Sequence, residues 1–376
     1  MIPYGRHYID DEDIAEVIKV LKSDFITQGP KIKEFEDALC KYTGAKYAVA
    51  VSSGTAALHL ACLASGIGSG DEVITSPITF VASANCVLYC GGIPLFVDIQ
   101  NDTLNIDPEK IISKITNKTR AIIPVHFAGH PCDLEEIHSI AKKYRLFVIE
   151  DACHALGAEY RGTKIGSCQY SDMTVFSFHP VKSITTGEGG AILTNNETLY
   201  EKLLTLRTHG ITKDREKWTS RKEGEWYYEM HYLGYNYRIT DFQCALGISQ
   251  LRKLDRFISR RREVAKTYTE RLSRVEGIIL PVERQYVKSA WHLYTIRLNK
   301  SQSRADIFKY LREQGIGVQV HYIPVYLHPY YKQKFNFKVE DFPVAQSYYS
   351  SSISIPIFYS MRDDEIEYVI SKIESA

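Results

Sequence analysis

The 376-residue sequence predicts an α/β protein with a mainly parallel sheet. Between about residues 45 and 210, short apolar runs alternate with segments of helical periodicity, as in strands joined by crossover helices. The runs are short, and most are separated by a helical segment, which is typical of strands buried in such a sheet. These runs cover residues 47–51, 72–75, 94–97, 121–127, 147–149, 173–178 and 191–194.

A second, smaller α+β unit is predicted after a long helical pattern over residues 240–272. It should contain strands near 292–298 and 318–322, a helix near 304–314 and a last helix from Asp363. We interpret the aromatic-rich stretch 322–337 as a loop over a pocket or as a packing surface. The predicted domains are therefore a large one over residues 10–250 and a small C-terminal one over 251–376, with residues 1–9 near the active site.

Composition restricts the class of protein. Apolar residues make up 44% and charged residues 24%, and the net charge of +1 gives no overall attraction to nucleic acid or to an acidic membrane. No stretch approaches the roughly 20 apolar residues of a membrane span. The eight cysteines are scattered without a C-x-x-C pair, which favours free thiols in a reducing cytosol over disulfides or a metal site. We therefore expect a cytoplasmic protein without metal, nucleic-acid or membrane partners.

Small residues follow the first predicted strand, where Gly54, Thr55 and Ala56 open a helical pattern. A helix N-terminus offers free N–H groups and a positive dipole end to an anion, and small residues let a phosphate come close. The Thr55 hydroxyl can add a further donor. The alternative is an N-cap without a ligand, and this motif alone does not decide between the two.

A carboxylate follows the apolar run 147–149, at the end of a strand where open α/β sheets bind ligands. Asp151 could keep a ring nitrogen protonated, and His154 could reach another edge of the same ring. The alternative is a helix cap after a strand. Lys182 lies in a loop between the last two runs, and burial in a cleft would lower its pKa and make it a nucleophile. The alternative of an ordinary surface lysine is disfavoured by the two neighbouring motifs.

Together, in this order and spacing, the three segments resemble the fold-type I pyridoxal-phosphate enzymes, and within them the DegT–StrS family of sugar aminotransferases. The resemblance covers nearly the whole chain and implies an aspartate aminotransferase-like fold with a seven-stranded sheet. Further segments that carry it are residues 27–29, 76–82, 96–99, 177–179, 187–190, 234–238 and 320–322.

The resemblance implies how the chain binds the ring of pyridoxal 5'-phosphate. Lys182 would be the Schiff-base lysine, and Asp151 would pair with the pyridine nitrogen and keep the ring cationic. Phe80 would stack on the ring, and His154 would contact its phenolic oxygen, a position where glutamine is frequent in the family. Dehydratase relatives carry histidine in place of this lysine, so Lys182 favours transamination.

The resemblance also implies a phosphate site and a second subunit. The cofactor phosphate would lie against Gly54, Thr55, Ala56 and Ser177. Asn236 would reach that phosphate from a second copy of the chain. A homodimer with shared active sites is therefore expected.

Within the family, the sequence resembles transaminases of the pseudaminic acid pathway. This similarity implies transfer of an amino group from L-glutamate to C4 of a UDP-4-keto-6-deoxy-N-acetylhexosamine. The implied nucleotide-sugar site is formed by Tyr4, Asp24, Phe25, Ile26, Thr27, Gln319, Val320, His321 and Tyr322.

Three alternatives remain beside this hypothesis. The first is an aminotransferase for another UDP-, dTDP- or GDP-linked keto sugar, and the second is a regulatory protein that has kept the fold without the activity. The third, a redox or hydrolytic enzyme, has little support, since no G-x-G-x-x-G follows a strand and neither G-x-S-x-G nor H-E-x-x-H occurs.

Overall fold

The computed structural model describes residues 1–220, 224–299 and 302–376. In these residues the strands are, in chain order, β1 (Tyr47–Val51), β2 (Glu72–Thr75), β3 (Ile93–Phe96), β4 (Thr119–Ile123), β5 (Phe147–Asp151), β6 (Glu159–Tyr160), β7 (Thr163–Lys164), β8 (Met173–Ser177), β9 (Gly190–Thr194), β10 (Ile211–Thr212), β11 (Glu229–Met230), β12 (Ile278–Ile279), β13 (Val287–Lys288), β14 (Tyr294–Leu298) and β15 (Ser352–Ile355). The helices are α1 (Asp11–Leu21), α2 (Pro30–Thr43), α3 (Gly54–Ala64), α4 (Ala82–Tyr89), α5 (Pro108–Ile111), α6 (Leu134–Tyr144), α7 (Glu197–Arg207), α8 (Asp241–Leu272), α9 (Arg304–Glu313), α10 (Pro329–Lys334), α11 (Pro343–Ser351) and α12 (Asp363–Glu374).

A seven-stranded sheet in the order β1-β9-β8-β5-β4-β2-β3 forms the centre of the molecule. Only β9 runs antiparallel to the other strands of this sheet. The predicted α/β class with a mainly parallel sheet is confirmed. β1 and β8 end at the same edge, because Val51 of β1 and Ser177 of β8 pair with the same residue of β9, Gly190. β5 ends there too, because it runs parallel to β8 and its last residue, Asp151, pairs with Val175. This edge brings the three predicted motifs together.

Two hydrophobic clusters pack on the main sheet, and a third lies in the C-terminal part. Leu254 and Ile258 of α8 belong to the first cluster, whereas Tyr268 and Leu272 of the same helix belong to the third. A continuous helix of 32 residues therefore spans the predicted domain boundary at residue 250. The division into domains stays a prediction. No helix in the described parts of the chain has the length and apolar character needed to cross a bilayer.

Two predicted strands differ from the structure by more than a shift of one or two residues at an end. The run 121–127 ends as a strand at Ile123, because the next residue, Pro124, has no N–H to donate to a neighbouring strand. The stretch 318–322 is not a strand, and only Gln319 forms a bridge, with Ser354. The hydroxyl of Tyr348 donates to the carbonyl of His321, so that backbone acceptor is already used. The predicted strand at this position was wrong.

The aromatic stretch 322–337 is a packing surface that contains the short helix α10. Tyr326 and Tyr331 are buried in a cluster with Phe96 and Phe127 of the large sheet region. The final helix begins at Asp363, as predicted.

Candidate active site

Lys182, the predicted cofactor lysine, lies half-buried in the loop between β8 and β9. Its backbone N–H donates to the carbonyl oxygen of His179 over 2.9 Å, which closes a tight turn after Pro180. Burial lowers the pKa of Lys182, and the nearby Cys153 sulfur and Asp151 carboxylate oppose this shift. A lysine whose ammonium form is disfavoured is more readily available as a neutral nucleophile.

Asp151, the last residue of β5, is only 5% exposed. Its Oδ2 accepts a hydrogen bond from the Ser83 hydroxyl over 2.6 Å, and its Oδ1 accepts one from the Cys153 backbone N–H over 3.2 Å. Both oxygens are therefore held, and the orientation of the carboxylate is fixed. A buried carboxylate in this position is suited to pair with a cation such as a protonated ring nitrogen.

Two buried imidazoles lie beside this pair. The Nε2 of His154 is 3.1 Å from the phenolic oxygen of Tyr322, and its ring centroid is 4.3 Å from that of His292. Burial lowers the pKa of both histidines well below its ordinary value, and the positive charge of Lys182 contributes. Both rings are therefore neutral at neutral pH. His292 was not predicted from the sequence, since its contact with His154 joins distant parts of the chain.

The structure brings several predicted sugar and cofactor residues to the same place. His321 donates or accepts a hydrogen bond at 2.8 Å with the Ser354 hydroxyl, and burial lowers its pKa to about 4, with Lys182 adding to the shift. The Tyr4 ring lies 5.2 Å from the His321 ring, and burial raises the pKa of this tyrosine. Phe80 is 58% exposed, with its ring 6.2 Å from that of Tyr322.

Gly54, the first residue of α3, lies against Ser177 and Cys153. A Cβ at residue 54 would come within 2.8 Å of the Ser177 Cβ and 3.3 Å of the Cys153 Sγ, so only glycine fits here without a shift. The N-cap residue Ser53 accepts the N–H of Ala56 over 3.1 Å. The first-turn N–H groups of Gly54 and Thr55 have no intrahelical acceptor and are suited to an anion.

Two other predicted groups are exposed, and their backbones are bound to other parts of the chain. The segment of Asp24, Phe25, Ile26 and Thr27 is exposed and is attached to the start of α8, where the Ile26 carbonyl accepts the Asp241 N–H and Thr27 pairs with Thr240. Farther along the chain, Asn236 is exposed too, and its backbone pairs with Thr208. Of the 319–322 group, Gln319 is exposed and Val320 is half-buried.

The donor set around Lys182 fits a phosphorylated aromatic aldehyde. An amine can bind the aldehyde, a fixed carboxylate can pair with a ring nitrogen, and an exposed aromatic face can cover the ring. A helix N-terminus without a Cβ at its first residue can take the phosphate.

Comparisons with known proteins agree over nearly the whole length of the chain. Residues 7–374 match the DegT/DnrJ/EryC1/StrS aminotransferase family. The spore coat polysaccharide biosynthesis protein SpsC of Bacillus subtilis is 42% identical over 377 aligned residues, covering 99% of this chain and 96% of that protein. The UDP-4-amino-4,6-dideoxy-N-acetyl-β-L-altrosamine transaminase of Campylobacter jejuni (strain 81-176) is 41% identical over 375 residues, covering 98% and 96%.

Solved structures give the same result. Helicobacter pylori PseC, an aminotransferase involved in pseudaminic acid biosynthesis, superposes with a TM-score of 0.92 at 34% identity, covering 100% of this chain and 98% of that one. Spr1654 of Streptococcus pneumoniae, a proposed sugar aminotransferase in its PLP form, superposes with a TM-score of 0.92 at 31% identity and the same coverage.

Proposed function

This chain belongs to the DegT/DnrJ/EryC1/StrS aminotransferase family and is a sugar aminotransferase, and on that premise we propose that it works with pyridoxal 5'-phosphate bound at Lys182. Aminotransferases of this family depend on that cofactor, and a PLP-form structure is among the structural neighbours. The observation that carries the proposal is the common site of a lysine with a lowered pKa and a buried, oriented carboxylate, Asp151.

When bound, the cofactor supplies an aldehyde for amine exchange and a ring that withdraws electrons. Asp151 would hold the ring N–H, and Phe80 would cover one face of the ring. The free N–H groups at Gly54 and Thr55, with the Ser177 hydroxyl, would bind the phosphate.

Lys182 would move the proton in both halves of the reaction. Its lowered pKa leaves a larger fraction of the amine neutral, and a neutral amine can take a proton from the α-carbon of the amino donor. The same amine would return a proton at the sugar carbon that receives nitrogen. The neutral rings of His154 and His292 would leave the charge balance of the site unchanged during these transfers.

For the substrate, we propose a UDP-4-keto-6-deoxy-N-acetylhexosamine aminated at C4, as in pseudaminic acid biosynthesis, with L-glutamate as donor. The similarity to the Campylobacter transaminase and to PseC supports this choice, as does the position of Tyr4, His321 and Tyr322 beside the Lys182 site. A different nucleotide-linked keto sugar is the second candidate, because SpsC, named for spore coat polysaccharide, is as similar to this chain.

We also propose a homodimer in which Asn236 of one copy reaches the cofactor phosphate of the other. Its support is an exposed apolar surface close to Asn236 in the chain, since large exposed apolar side chains in one region are typical of interfaces. Met230 and Leu233 are 65% and 77% exposed. The eight free cysteines agree with a reducing, cytoplasmic location.

The decisive experiment is covalent labelling with the cofactor. Purified protein incubated with pyridoxal phosphate should gain the absorbance of a lysine adduct, and borohydride should fix the adduct on a peptide that contains Lys182. Lys182→Ala should abolish both signals. Lys202→Ala is the matched control, because burial lowers the pKa of that lysine too, and it should label like wild type. A colourless wild type, or label on another lysine, would overturn the cofactor proposal.

The substrate proposal needs a separate assay. Wild type is supplied with L-glutamate and with UDP-, dTDP- or GDP-linked 4-keto sugars, and the amino sugar is detected by mass spectrometry. We expect the highest kcat/KM with the UDP-linked N-acetyl sugar. A higher value with another nucleotide would reject that substrate while leaving the aminotransferase assignment intact.

A further inference from the structure

A chain of two buried hydroxyl groups leads to the Asp151 carboxylate. The Thr79 Oγ1 lies 2.7 Å from the Ser83 Oγ, and the Ser83 Oγ lies 2.6 Å from the Asp151 Oδ2. Thr79 and Ser83 are 3% and 0% exposed. Because an ionised carboxylate only accepts, Ser83 gives its single hydrogen to Asp151, and Thr79 must then donate to Ser83. The donor and the acceptor of both hydrogen bonds are therefore fixed.

The same short segment carries the aromatic ring that is proposed to cover the cofactor. Phe80 follows Thr79 directly, and Ser83 is the second residue of α4. The carbonyl of Phe80 is a weaker alternative acceptor for the Ser83 hydroxyl, at 3.3 Å against 2.6 Å for the carboxylate. The same turn therefore carries Phe80, which is proposed to stack on the cofactor ring, and Ser83, which holds the carboxylate proposed to pair with the ring nitrogen.

We propose that Ser83, supported by Thr79, is a positioning residue that sets the direction in which Asp151 faces the cofactor ring nitrogen. This inference rests on the proposed function. The Cys153 N–H holds Oδ1 and Ser83 holds Oδ2, so the remaining lone pairs point in set directions. Without Ser83, the buried Oδ2 of Asp151 loses its hydrogen-bond donor. The carboxylate is then held through Oδ1 alone and can turn. Its hydrogen bond to the ring N–H then becomes less linear and weaker.

The test measures the pH at which the absorbance of the bound cofactor changes. A well-held ring N–H draws electrons away from the nitrogen that joins Lys182 to the cofactor, so this nitrogen loses its proton at lower pH. Ser83→Ala should raise the midpoint by about one pH unit, the effect of one charge-assisted hydrogen bond. Thr79→Val, which keeps the side-chain volume, should raise it by a smaller amount.

Thr75→Val is the matched control, because Thr75 is equally buried and its hydroxyl donates to the Ile123 carbonyl rather than towards Asp151. Its midpoint should equal that of wild type. A purely structural role of Ser83 would lower the melting temperature of Ser83→Ala and leave the midpoint unchanged, which would overturn the proposal. If Ser83→Ala does not fold, an unchanged midpoint in Thr79→Val overturns it.

Failure of the proposed function gives a different result. In that case wild type itself shows no cofactor absorbance at any pH. If wild type binds the cofactor but the midpoint falls or stays constant in both hydroxyl variants, only the positioning role is rejected.

Discussion

The phenolic oxygen of Tyr322 lies 3.1 Å from the Nε2 of His154, and this contact joins the C-terminal part of the chain to the loop after β5. Burial raises the pKa of Tyr322 and lowers that of His154, so two neutral groups meet here at neutral pH. The family resemblance assigns His154 to the cofactor and Tyr322 to the sugar. Because the two side chains are in direct contact, the proposed cofactor and sugar subsites are adjacent.

Replacing Asp151 by alanine is expected to lower kcat by about 10²–10³-fold, as when one preorganised charge-stabilising group is removed. The reason is that the ring nitrogen loses its buried anionic partner. The measurement is kcat of the complete transamination. A cofactor analogue methylated at the ring nitrogen is permanently cationic, so it should recover part of the lost rate in Asp151→Ala. Equal rates with both cofactors would contradict the proposed role.

Replacing Gly54 by alanine tests the phosphate cradle. Since the new Cβ would lie 2.8 Å from the Ser177 Cβ, we expect a loss of about 1–3 kcal/mol in the free energy of unfolding and weaker cofactor binding. Gly68→Ala is the control, because nothing lies within 4 Å of a Cβ there, and its stability should change by about 0.5 kcal/mol at most. Urea unfolding and cofactor titration provide the measurements. Identical behaviour of the two variants would argue against a tight cradle at Gly54.

Mixed dimers test whether Asn236 acts across the subunit interface. Lys182→Ala and Asn236→Asp chains are each expected to form inactive or strongly impaired homodimers. In a mixed dimer, the Asn236→Asp chain keeps its own lysine and receives an intact asparagine from its partner, so one site is complete. Random pairing of equal amounts should therefore restore about a quarter of the wild-type sites.

The same experiment distinguishes the alternative, in which Asn236 serves the site of its own chain. If Asn236 serves its own chain, every site in the mixed dimer lacks one residue, and mixing restores no activity. Exposure of Asn236, with its backbone paired to Thr208, makes a folding defect in Asn236→Asp unexpected, and circular dichroism checks this.

The buried histidines are expected to make the protein sensitive to acid. The folded-state pKa of His321 is about 4, below the ordinary value of 6.5, so on acidification the unfolded chain takes up this proton first. Stability from this group is complete above about pH 6.5 and is lost towards pH 4, at up to about 1.4 kcal/mol per pH unit. His321→Gln should flatten the fall in unfolding free energy between pH 7 and 4. The exposed His7→Gln should not, and equal slopes for wild type and His321→Gln would refute the assignment.

Local periodicity in the sequence predicted the bounds of several strands and helices. The strands Tyr47–Val51 and Glu72–Thr75 have the predicted bounds, and the last helix starts at Asp363 as expected. Asp151 at the end of a strand and Lys182 in the loop before the last strand of the sheet region are also where the sequence predicted them. The roles of the individual site residues stay predictions.

What the sequence did not predict depends on contacts between distant residues. Ser83 reaches Asp151 across 68 positions, and His292 meets His154 from the C-terminal part of the chain. A pair of hydroxyl residues four apart, Thr79 and Ser83, is a weak local signal that could have pointed to α4. The predicted strand at 318–322 failed for a similar reason, because Tyr348 takes the His321 carbonyl.

Helix α8 is a shared member of two hydrophobic clusters, with Leu254 in one and Tyr268 in the other. Loss of either cluster removes the packing from one half of a continuous helix, and the exposed half then no longer supports its neighbour. We therefore expect the sheet region and the C-terminal region to unfold as one cooperative unit on heating, with a single heat-absorption peak.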